Sequence, residues 1–336
     1  MSKIKDYYAS NRVSNSLLSA LKNPRWLKIK IETTDVEDEE KKAFRIGSAV
    51  DCLLTDPARW DDEFEVSDVV RPSGFMSKFV DNLPCNLEST EDYQVAYEKS
   101  GYKIKIEKVI DKFKSDEQAI SYHSSVCSLD KNKYVLSKDE YDIVTKCKEL
   151  VLANPFTQKY FINLSKSIEL LHQYAVYFDY NGFQCKALLD GIRIDHNAKT
   201  IEPFDLKTTG GGVYNFESSF REFGYYRQAA MYLEAIKRDD YIKSLIEKDY
   251  KVLEFKFIVV DSKPSSNMAS IIYKTSENDI NVGLNGGYHN GKYYPGINSL
   301  IEDLRFHLET EYWELPRDVY INNGIINLDA FRNQQE

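Results

Sequence analysis

Two aspartates and a lysine fall on consecutive predicted strands in the second half of the chain. Asp190 follows the apolar pair Leu188-Leu189, and Asp205 and Lys207 lie two residues apart in the next strand. Side chains alternate across a strand, so Asp205 and Lys207 point to the same face. Two nearby carboxylates repel each other and are stabilised by a cation. Such a set can hold a divalent metal beside a phosphodiester and position a water to attack it.

The strand that carries Asp190 belongs to a predicted β-hairpin. Asn181-Gly182 supplies the two positive φ angles of a type I′ turn between two β-rich runs. This turn pairs Tyr180 with Phe183, and counting outward places Gln173 directly opposite Asp190. We therefore expect Gln173 to be a neighbour of Asp190 in the candidate site.

The same spacing admits a purely structural interpretation. Lys186 shares a strand face with Asp190, so the two aspartates could instead form salt bridges with Lys186 and Lys207. Glu169 shares that face as well, but it lies four residues from Gln173, roughly 13 Å at about 3.3 Å per residue. We keep Glu169 as a fallback metal ligand in case the hairpin is bulged.

A predicted helix after the second strand carries polar residues at helical spacing. Gln228 and Tyr232 are four residues apart and therefore lie on one helix face. Arg227 and Arg221 are candidates for contacts with phosphates. A tyrosine stripe buried in the core is the alternative for this helix.

Other segments predict the surroundings of these strands. Residues 13–23 and 44–54 have helical periodicity, with Ser14 as the candidate cap of the first helix. Residues 61–163 are mostly helical in pattern. Pro203 is unusual in a central strand, so we expect regular pairing to begin only after it, or a bulge to lie there.

Composition excludes several classes of protein. The formal net charge of -9 argues against a diffuse, charge-driven coat on nucleic acid, although a local basic groove remains compatible with it. The N-terminus lacks the apolar core of a signal peptide and the chain has no long apolar run, so we expect a cytoplasmic protein without a membrane span. The cysteines show no CxxC spacing, which argues against a zinc ribbon or an iron-sulfur cluster and favours free thiols. They are Cys52, Cys85, Cys127, Cys147 and Cys185.

The ordered set of motifs resembles the PD-(D/E)XK nucleases, and within them the phage and prophage exonucleases of the exodeoxyribonuclease VIII (RecE) type, with a RecB-like nuclease domain. The resemblance covers most of the chain, from the N-terminal helix to about residue 300. Five features carry it in order: GSAV at 47–50 with Leu53-Leu54 and Pro57, CK at 185–186 before LD at 189–190, DLKTT at 205–209, QAAMY at 228–232, and the FIVV strand before Pro264.

The resemblance implies an α/β fold with a restriction-endonuclease-like core, in which helices flank a central mixed sheet. Residues 1–60 would add N-terminal helices to that core, 61–163 would form a helical insertion, and 164–336 would supply the sheet, helix and C-terminal tail of a single nuclease domain.

The resemblance also implies roles for individual residues. Asp190, Asp205 and the backbone carbonyl of Leu206 would be ligands of Mg²⁺, with Mn²⁺ as a substitute. Lys207 would orient the attacking water. The remaining candidates divide into a catalytic neighbour, Gln173, and residues that support the site or contact DNA, namely Gln228, Tyr232, Arg227 and Lys186.

Two positions depart from the family pattern. Related exonucleases often carry a histidine where this chain has Asp51, and a glutamate early in the first hairpin strand where it has Gln173. One carboxylate is thus lost and another gained. We expect Asp51 to take over as the anionic metal ligand.

These implications favour a metal-dependent exonuclease that hydrolyses phosphodiester bonds at double-stranded DNA ends during phage-type recombination and repair. Its expected partners are DNA, a single-strand annealing protein and further copies of the chain, in the bacterial host cytoplasm if a phage encodes it. One alternative is a helicase-associated or CRISPR-associated nuclease, or an endonuclease, of the same fold. The other is a non-catalytic DNA-binding or assembly protein whose nuclease site has decayed.

Overall fold

The structure is a computed structural model that describes residues 3–32, 42–87, 89–128, 133–263 and 269–326. It divides into a sheet unit, Met1–Glu40 with Glu149–Glu336, and a helical unit, Lys41–Lys148. The division differs from the predicted boundaries, because the helix that begins at residue 42 groups with the helices that follow it. Within the described residues, no helix is long and apolar enough to cross a membrane.

The sheet unit begins with three helices: α1 (Lys3–Ala9), α2 (Asn15–Ala20) and α3 (Pro24–Glu32). The Ser14 side chain caps α2 by accepting a hydrogen bond from the Leu17 N–H, as predicted. Pro24 lies four residues after the end of α2. It begins α3, where its fixed φ suits the first helical turn, and the Asn23 side chain accepts the Trp26 N–H.

The described residues of the helical unit form six α-helices, two short strands and most of a seventh helix, α10, which ends five residues beyond the boundary at Lys148. In chain order these elements are α4 (Lys42–Thr55), α5 (Trp60–Glu63), β1 (Phe64–Ser67), α6 (Gly74–Asp81), α7 (Asp92–Ser100), α8 (Ile106–Lys114), α9 (Glu117–Ser128), β2 (Tyr134–Ser137) and α10 (Lys138–Ala153). Strands β1 and β2 pair in parallel. The expectation of free thiols is wrong for Cys85 and Cys127, which form a disulfide with a Cα–Cα distance of 5.3 Å. The fold brings them within bridging range across 42 residues, which cysteine spacing does not reveal.

The remaining elements of the sheet unit follow in chain order: α11 (Pro155–Gln158), β3 (Ile168–Tyr180), β4 (Phe183–Asp195), β5 (Thr200–Thr209), α12 (Phe216–Glu222), α13 (Tyr225–Ile236), α14 (Asp240–Ile246), β6 (Lys251–Val252), β7 (Lys256–Asp261), β8 (Ser270–Lys274), α15 (Glu277–Asn285), β9 (Gly287–His289), β10 (Lys292–Tyr294), α16 (Ile297–Thr310) and α17 (Arg317–Ile321). The main sheet has the order β3-β4-β5-β7-β8, with β6 also on β5. Strands β5 and β7 are parallel and the other neighbours in that order are antiparallel. This mixed sheet with flanking helices confirms the predicted fold class.

The hairpin of β3 and β4 has the predicted register, with Tyr180 opposite Phe183 across the Asn-Gly turn. The prediction that regular pairing begins only after Pro203 is wrong for β4, whose pairing with β5 begins before Pro203 and includes a pair between Pro203 and Ile192. It is confirmed for β7, whose pairing with β5 begins at Phe204. On the other edge of β5, β6 pairs with residues 200–201 and β7 with residues 204–209. Pro203 lies between these two paired segments. Its missing N–H group therefore interrupts no parallel hydrogen-bond ladder on that edge.

A large apolar core lies between the sheet and α13. Ile192 and Ile194 of β4 and Ala229 and Ala230 of α13 are fully buried in one cluster. The predicted single helix after β5 is two helices, because Gly224 adopts a left-handed conformation (φ +70°) between α12 and α13. The break sets the direction in which α13 crosses the sheet and presents Gln228.

Candidate active site

Strands β4 and β5 separate at the position of the two aspartates. Their ladder ends with the pair Gly191 and Phe204, so Asp190 and Asp205 occupy the next facing position. A Cβ atom on Gly191 would lie 2.0 Å from the Phe204 ring, so only glycine permits this close approach. Past this pair, the Leu206 N–H donates to the Asp190 Oδ2 atom at 2.7 Å. The predicted aspartates therefore lie side by side at the end of the β4–β5 ladder.

Asp205 and Lys207 form a buried ion pair on the face of β5 that α13 covers. The Lys207 ammonium contacts the Asp205 Oδ2 atom, and Asp205 is only 1% exposed. The Gln228 Nε2 atom donates to Asp205 Oδ1 at 2.7 Å and to the Tyr232 hydroxyl at 3.1 Å. Gln228 and Tyr232 thus share one helix face, as predicted, and Gln228 fixes the orientation of the Asp205 carboxylate.

The charges of this group depend on one another. Burial lowers the pKa of Lys207, but the negative charges of Asp205 and Asp190 outweigh burial and hold that pKa above its usual value. Burial raises the pKa of Asp205, against the lowering effects of Lys207 and of the Gln228 hydrogen bond. Lys207 is consequently a charged hydrogen-bond donor at neutral pH and not a base.

Tyr225 is a member of the site that the sequence reasoning missed. The Lys207 ammonium lies 4.8 Å from the centre of the Tyr225 ring, a cation–π contact that restricts the position of the lysine. Burial raises the pKa of the Tyr225 hydroxyl. The signal was present in the sequence, because Tyr225 precedes Gln228 by three residues and therefore lies on the same helix face.

Gln173 lies opposite Asp190, as the hairpin register predicts. The ladder pairs His172 with Gly191 and Tyr174 with Leu189, and passes over the position between them. Gln173 has a φ of +48°, a left-handed conformation that is uncommon for a residue other than glycine. Such strain at a strand position often marks a functional site, so the departure of Gln173 from regular strand geometry is consistent with its candidacy.

Two residues predicted to contact DNA have hydrogen-bond partners within the sheet unit. Lys186 is buried and donates at 2.7 Å to the carbonyls of Tyr7 and Ser10, so it holds the C-terminal end of α1 and does not pair with Asp190. Arg227 is also buried and donates to the Ser19 hydroxyl at 3.0 Å. Each of these cations therefore links distant parts of the sheet unit, and contact of either residue with DNA stays a prediction.

The two remaining acidic candidates lie in other surroundings. Glu169 accepts a hydrogen bond of 2.6 Å from the Tyr241 hydroxyl and lies 3.2 Å from His196, so the structure does not bring the fallback ligand to Asp190. Asp51 lies in α4 of the helical unit, where the Thr55 hydroxyl donates to its backbone carbonyl at 2.8 Å. Its role as a metal ligand stays a prediction.

The donor atoms of the site suit a hard divalent cation. Asp190 and Asp205 offer carboxylate oxygens, and β5 adds the backbone carbonyl of Leu206. The buried Asp205 Oδ2 atom faces the Lys207 ammonium. Within the part of the chain that the structure describes, no group of three or more His, Cys, Asp or Glu side chains is arranged to hold a metal. The residues therefore fit Mg²⁺ with two carboxylates and neutral oxygens.

Comparisons with known proteins place this geometry in a family. Residues 19–287 match the family described as PDDEXK-like domain of unknown function (DUF3799). The chain belongs to this PDDEXK-like family. Asp205, Leu206 and Lys207 form a D-x-K sequence inside the matched range, and Asp190 is an acidic residue that precedes it.

A solved structure resembles the whole chain at low identity. It is the crystal structure of a protein from Eubacterium rectale that is proposed to be an exonuclease, with 13% identity and a TM-score of 0.47, covering 99% of this chain and 97% of the other. A search of curated proteins finds no significant match to the sequence. Membership in the PDDEXK-like family supports a nuclease.

Proposed function

We propose that this PDDEXK-like protein is a metal-dependent deoxyribonuclease, and that it acts as an exonuclease on the ends of double-stranded DNA. The observation that carries the proposal is the meeting of Asp190, Asp205 and Lys207 at the point where β4 and β5 separate. Two carboxylates and one ammonium at the end of the β4–β5 ladder would provide both a cation site and a donor for the reacting phosphate or water.

Asp190, Asp205 and the Leu206 carbonyl would hold Mg²⁺, with Mn²⁺ as a substitute. When bound, the ion would neutralise charge that develops on the phosphate. Gln228 contributes by fixing one oxygen of Asp205 through its 2.7 Å hydrogen bond, which leaves the other oxygen directed toward Lys207. A carboxylate with a fixed orientation loses less entropy on binding a ligand.

Lys207 acts as a charged donor in this proposal. Asp205 and Asp190 keep its ammonium protonated, and the Tyr225 ring restricts its position. An ammonium so held can donate hydrogen bonds to an attacking water and to a phosphate oxygen, and it can stabilise the additional negative charge of the transition state. It has no free electron pair and does not remove a proton from the water.

Asp51 completes the proposal as a further anionic ligand, in place of the carboxylate that Gln173 replaces in the hairpin. Asp51→Ala tests this role, with Asp56→Ala, a change at a nearby half-buried aspartate, as the matched control. Normal metal-dependent cleavage by Asp51→Ala would remove Asp51 from the site. We also propose that the protein forms a homo-oligomer and acts with a single-strand annealing partner. The molar mass of the protein in solution, measured with and without DNA, tests whether it forms an oligomer.

Digestion of matched DNA substrates tests the activity. Linear and closed circular duplexes of one sequence are incubated with Mg²⁺ or with EDTA. Loss of the linear form alone, and only with Mg²⁺, is the expected result. Cleavage of circles would identify an endonuclease of the same fold. Binding without cleavage in any metal would overturn the enzymatic proposal in favour of a non-catalytic DNA-binding protein.

A further inference from the structure

A short hairpin near the C-terminus presents an exposed pair of tyrosines. Strands β9 and β10 are joined by Asn290 and Gly291, both with positive φ (49° and 73°), as a type I′ turn requires. Tyr288 and Tyr293 are cross-strand partners whose ring centres lie 5.1 Å apart. They are 74% and 45% exposed, respectively. The pair lies beyond residue 287, where the match to the family ends.

The hairpin is held firmly at its base. A Cβ atom on Gly296 would lie 2.3 Å from the Gly286 nitrogen, so the two ends of the hairpin approach each other as only glycine allows. At the other side, Lys292 forms a salt bridge of 2.9 Å with Glu222 of α12, and the Tyr294 ring packs against Tyr226 of α13 at 6.1 Å. The two exposed rings therefore project from a fixed support.

The support is continuous with the candidate active site. Helix α13 begins at Tyr225, the residue whose ring holds Lys207, and the next residue, Tyr226, contacts the hairpin. Phe223 lies between α12 and α13, is 64% exposed, and packs 5.8 Å from Tyr225. Aromatic contacts therefore connect the hairpin to the start of α13, the helix whose first residue contacts Lys207.

Charge around the hairpin favours an anionic partner. Lys292 bonds to Glu222, and Lys22 of the sheet unit also acts electrostatically on this single carboxylate. These two ammonium groups and one carboxylate carry a formal charge of +1, and Lys292 precedes Tyr293 in β10. Aromatic faces next to positive charge are the combination that binds single-stranded nucleic acid, where bases stack and phosphates are neutralised.

We propose that Tyr288 and Tyr293 form a stacking platform for nucleobases of the DNA strand whose end reaches Lys207. This inference rests on the proposed function, because it takes the substrate to be DNA. It adds a specific expectation, namely that the protein engages unpaired bases next to the scissile strand. A blunt duplex offers only its terminal base pair to the rings, so substrates with a single-stranded overhang should bind more tightly.

The test measures stacking directly, in EDTA so that the substrate is not consumed. The probe is an oligonucleotide duplex with a short overhang that carries 2-aminopurine, a base whose fluorescence falls when it stacks. The variants are Tyr288→Ala with Tyr293→Ala, and Tyr288→Phe with Tyr293→Phe, which keeps both rings. The matched control is Tyr312→Ala, another exposed tyrosine packed against a tyrosine ring, Tyr320, at 5.2 Å.

The wild type and the double phenylalanine variant should quench the probe and bind the overhang equally. The double alanine variant should lose the quenching and bind about 5- to 150-fold more weakly, the range that corresponds to ~1–3 kcal/mol for stacking of one base. Tyr312→Ala should match the wild type. Tyr312 follows the C-terminal end of α16, whereas the hairpin precedes the N-terminal end. The 14 residues of α16 span about 21 Å at ~1.5 Å per residue, so Tyr312 is a control distant from the hairpin.

Two results would overturn the inference. One is unchanged quenching and affinity in the folded double alanine variant. The other is a change from oligomer to monomer with DNA binding intact, which would show that the rings contact a second copy of the chain. Absence of hydrolysis by the wild type with Mg²⁺ would contradict the proposed function alone, since the quenching measurement needs no catalysis.

Discussion

Two buried charged clusters lie three residues apart on β5 and on opposite faces of it. In the Glu202 cluster, Glu202 accepts hydrogen bonds from Tyr160 at 2.8 Å and Arg193 at 2.7 Å, and from Lys256. In the Asp205 cluster, defined as Asp190, Asp205, Lys207 and Gln228, two carboxylates face one ammonium. The first cluster is anchored by regular pairing of β4 and β5, and the second lies where that pairing ends.

The difference separates a structural ion cluster from a site that can accept a ligand. Burial acts to raise the pKa of Glu202, but hydrogen bonds from Lys256 and Tyr160 outweigh burial and hold it below the usual value of 4.5. Both carboxylate oxygens of Glu202 accept hydrogen bonds. Its two cationic neighbours, Arg193 and Lys256, together carry more charge than the carboxylate does. The Asp205 cluster has a formal excess of one negative charge, so a bound divalent cation would lower its electrostatic energy.

The largest expected effect is loss of activity in Asp190→Asn. The asparagine oxygen can still accept the Leu206 N–H, so the free energy of unfolding should change by no more than about 1 kcal/mol. Loss of a metal-binding charge should reduce the rate of DNA hydrolysis about 10³-fold, or ~4 kcal/mol of barrier. Hydrolysis assays measure the rate, and urea denaturation measures the free energy of unfolding. A fall in the free energy of unfolding large enough to explain the lost activity would contradict the division into two clusters.

The Glu202 cluster should behave in the opposite way. Glu202→Gln leaves Arg193 and Lys256 without their buried counter-charge, so the free energy of unfolding should fall by about 3 kcal/mol while the folded fraction retains its activity. Glu254→Gln is the control, because Glu254 pairs with Lys274 at 2.8 Å on an exposed surface and should lose less than about 1 kcal/mol. Equal losses in the two variants would show that the Glu202 cluster contributes no special stability.

A smaller effect should follow removal of the Gln228 amide. Gln228→Leu keeps the helix but removes the donor that orients Asp205, so the Mg²⁺ concentration for half-maximal activity should rise about 10- to 100-fold. Tyr232→Phe removes only the hydroxyl that Gln228 contacts and should change that concentration by less than about threefold. A Mg²⁺ titration of activity distinguishes this positioning role from a loss of folding, which excess Mg²⁺ would not reverse.

The smallest effect concerns the pH dependence of stability. The folded-state pKa of Glu202 is lowered, so its stabilising contribution is present above the unfolded-state pKa, about 4.5, and is lost as the pH falls through the lower folded-state value. The difference in unfolding free energy between wild type and Glu202→Gln should therefore be constant above about pH 6 and shrink below 4.5. Urea denaturation across this range measures it, and a difference that grows on acidification would contradict the assigned charge of Glu202.

Local sequence rules predicted the strand register of the site and the residues that share a strand or helix face. The Asn181-Gly182 turn fixes the hairpin register, and alternation then places Gln173 opposite Asp190 and sets Asp205 and Lys207 on one face. Helical spacing likewise places Gln228 beside Tyr232. These relations depend on short stretches of backbone whose geometry is determined by residue type and periodicity.

The sequence could not predict which cations are available to a ligand. Lys186 contacts the Tyr7 carbonyl across 179 residues, and Arg227 contacts Ser19 across 208. Long side chains can reach any of several surfaces, and the choice depends on tertiary packing that spacing does not encode. For the same reason, the cysteine pattern gave no sign of the bond between Cys85 and Cys127.

Calorimetric titration with Mg²⁺ tests the central claim most directly, since the claim is that Asp190 and Asp205 form a cation site independently of any substrate. The wild type and Glu202→Gln should bind Mg²⁺ with the same affinity, and the double variant Asp190→Asn with Asp205→Asn should show no saturable binding. Undiminished Mg²⁺ binding by the folded double variant would contradict the account and place the metal elsewhere.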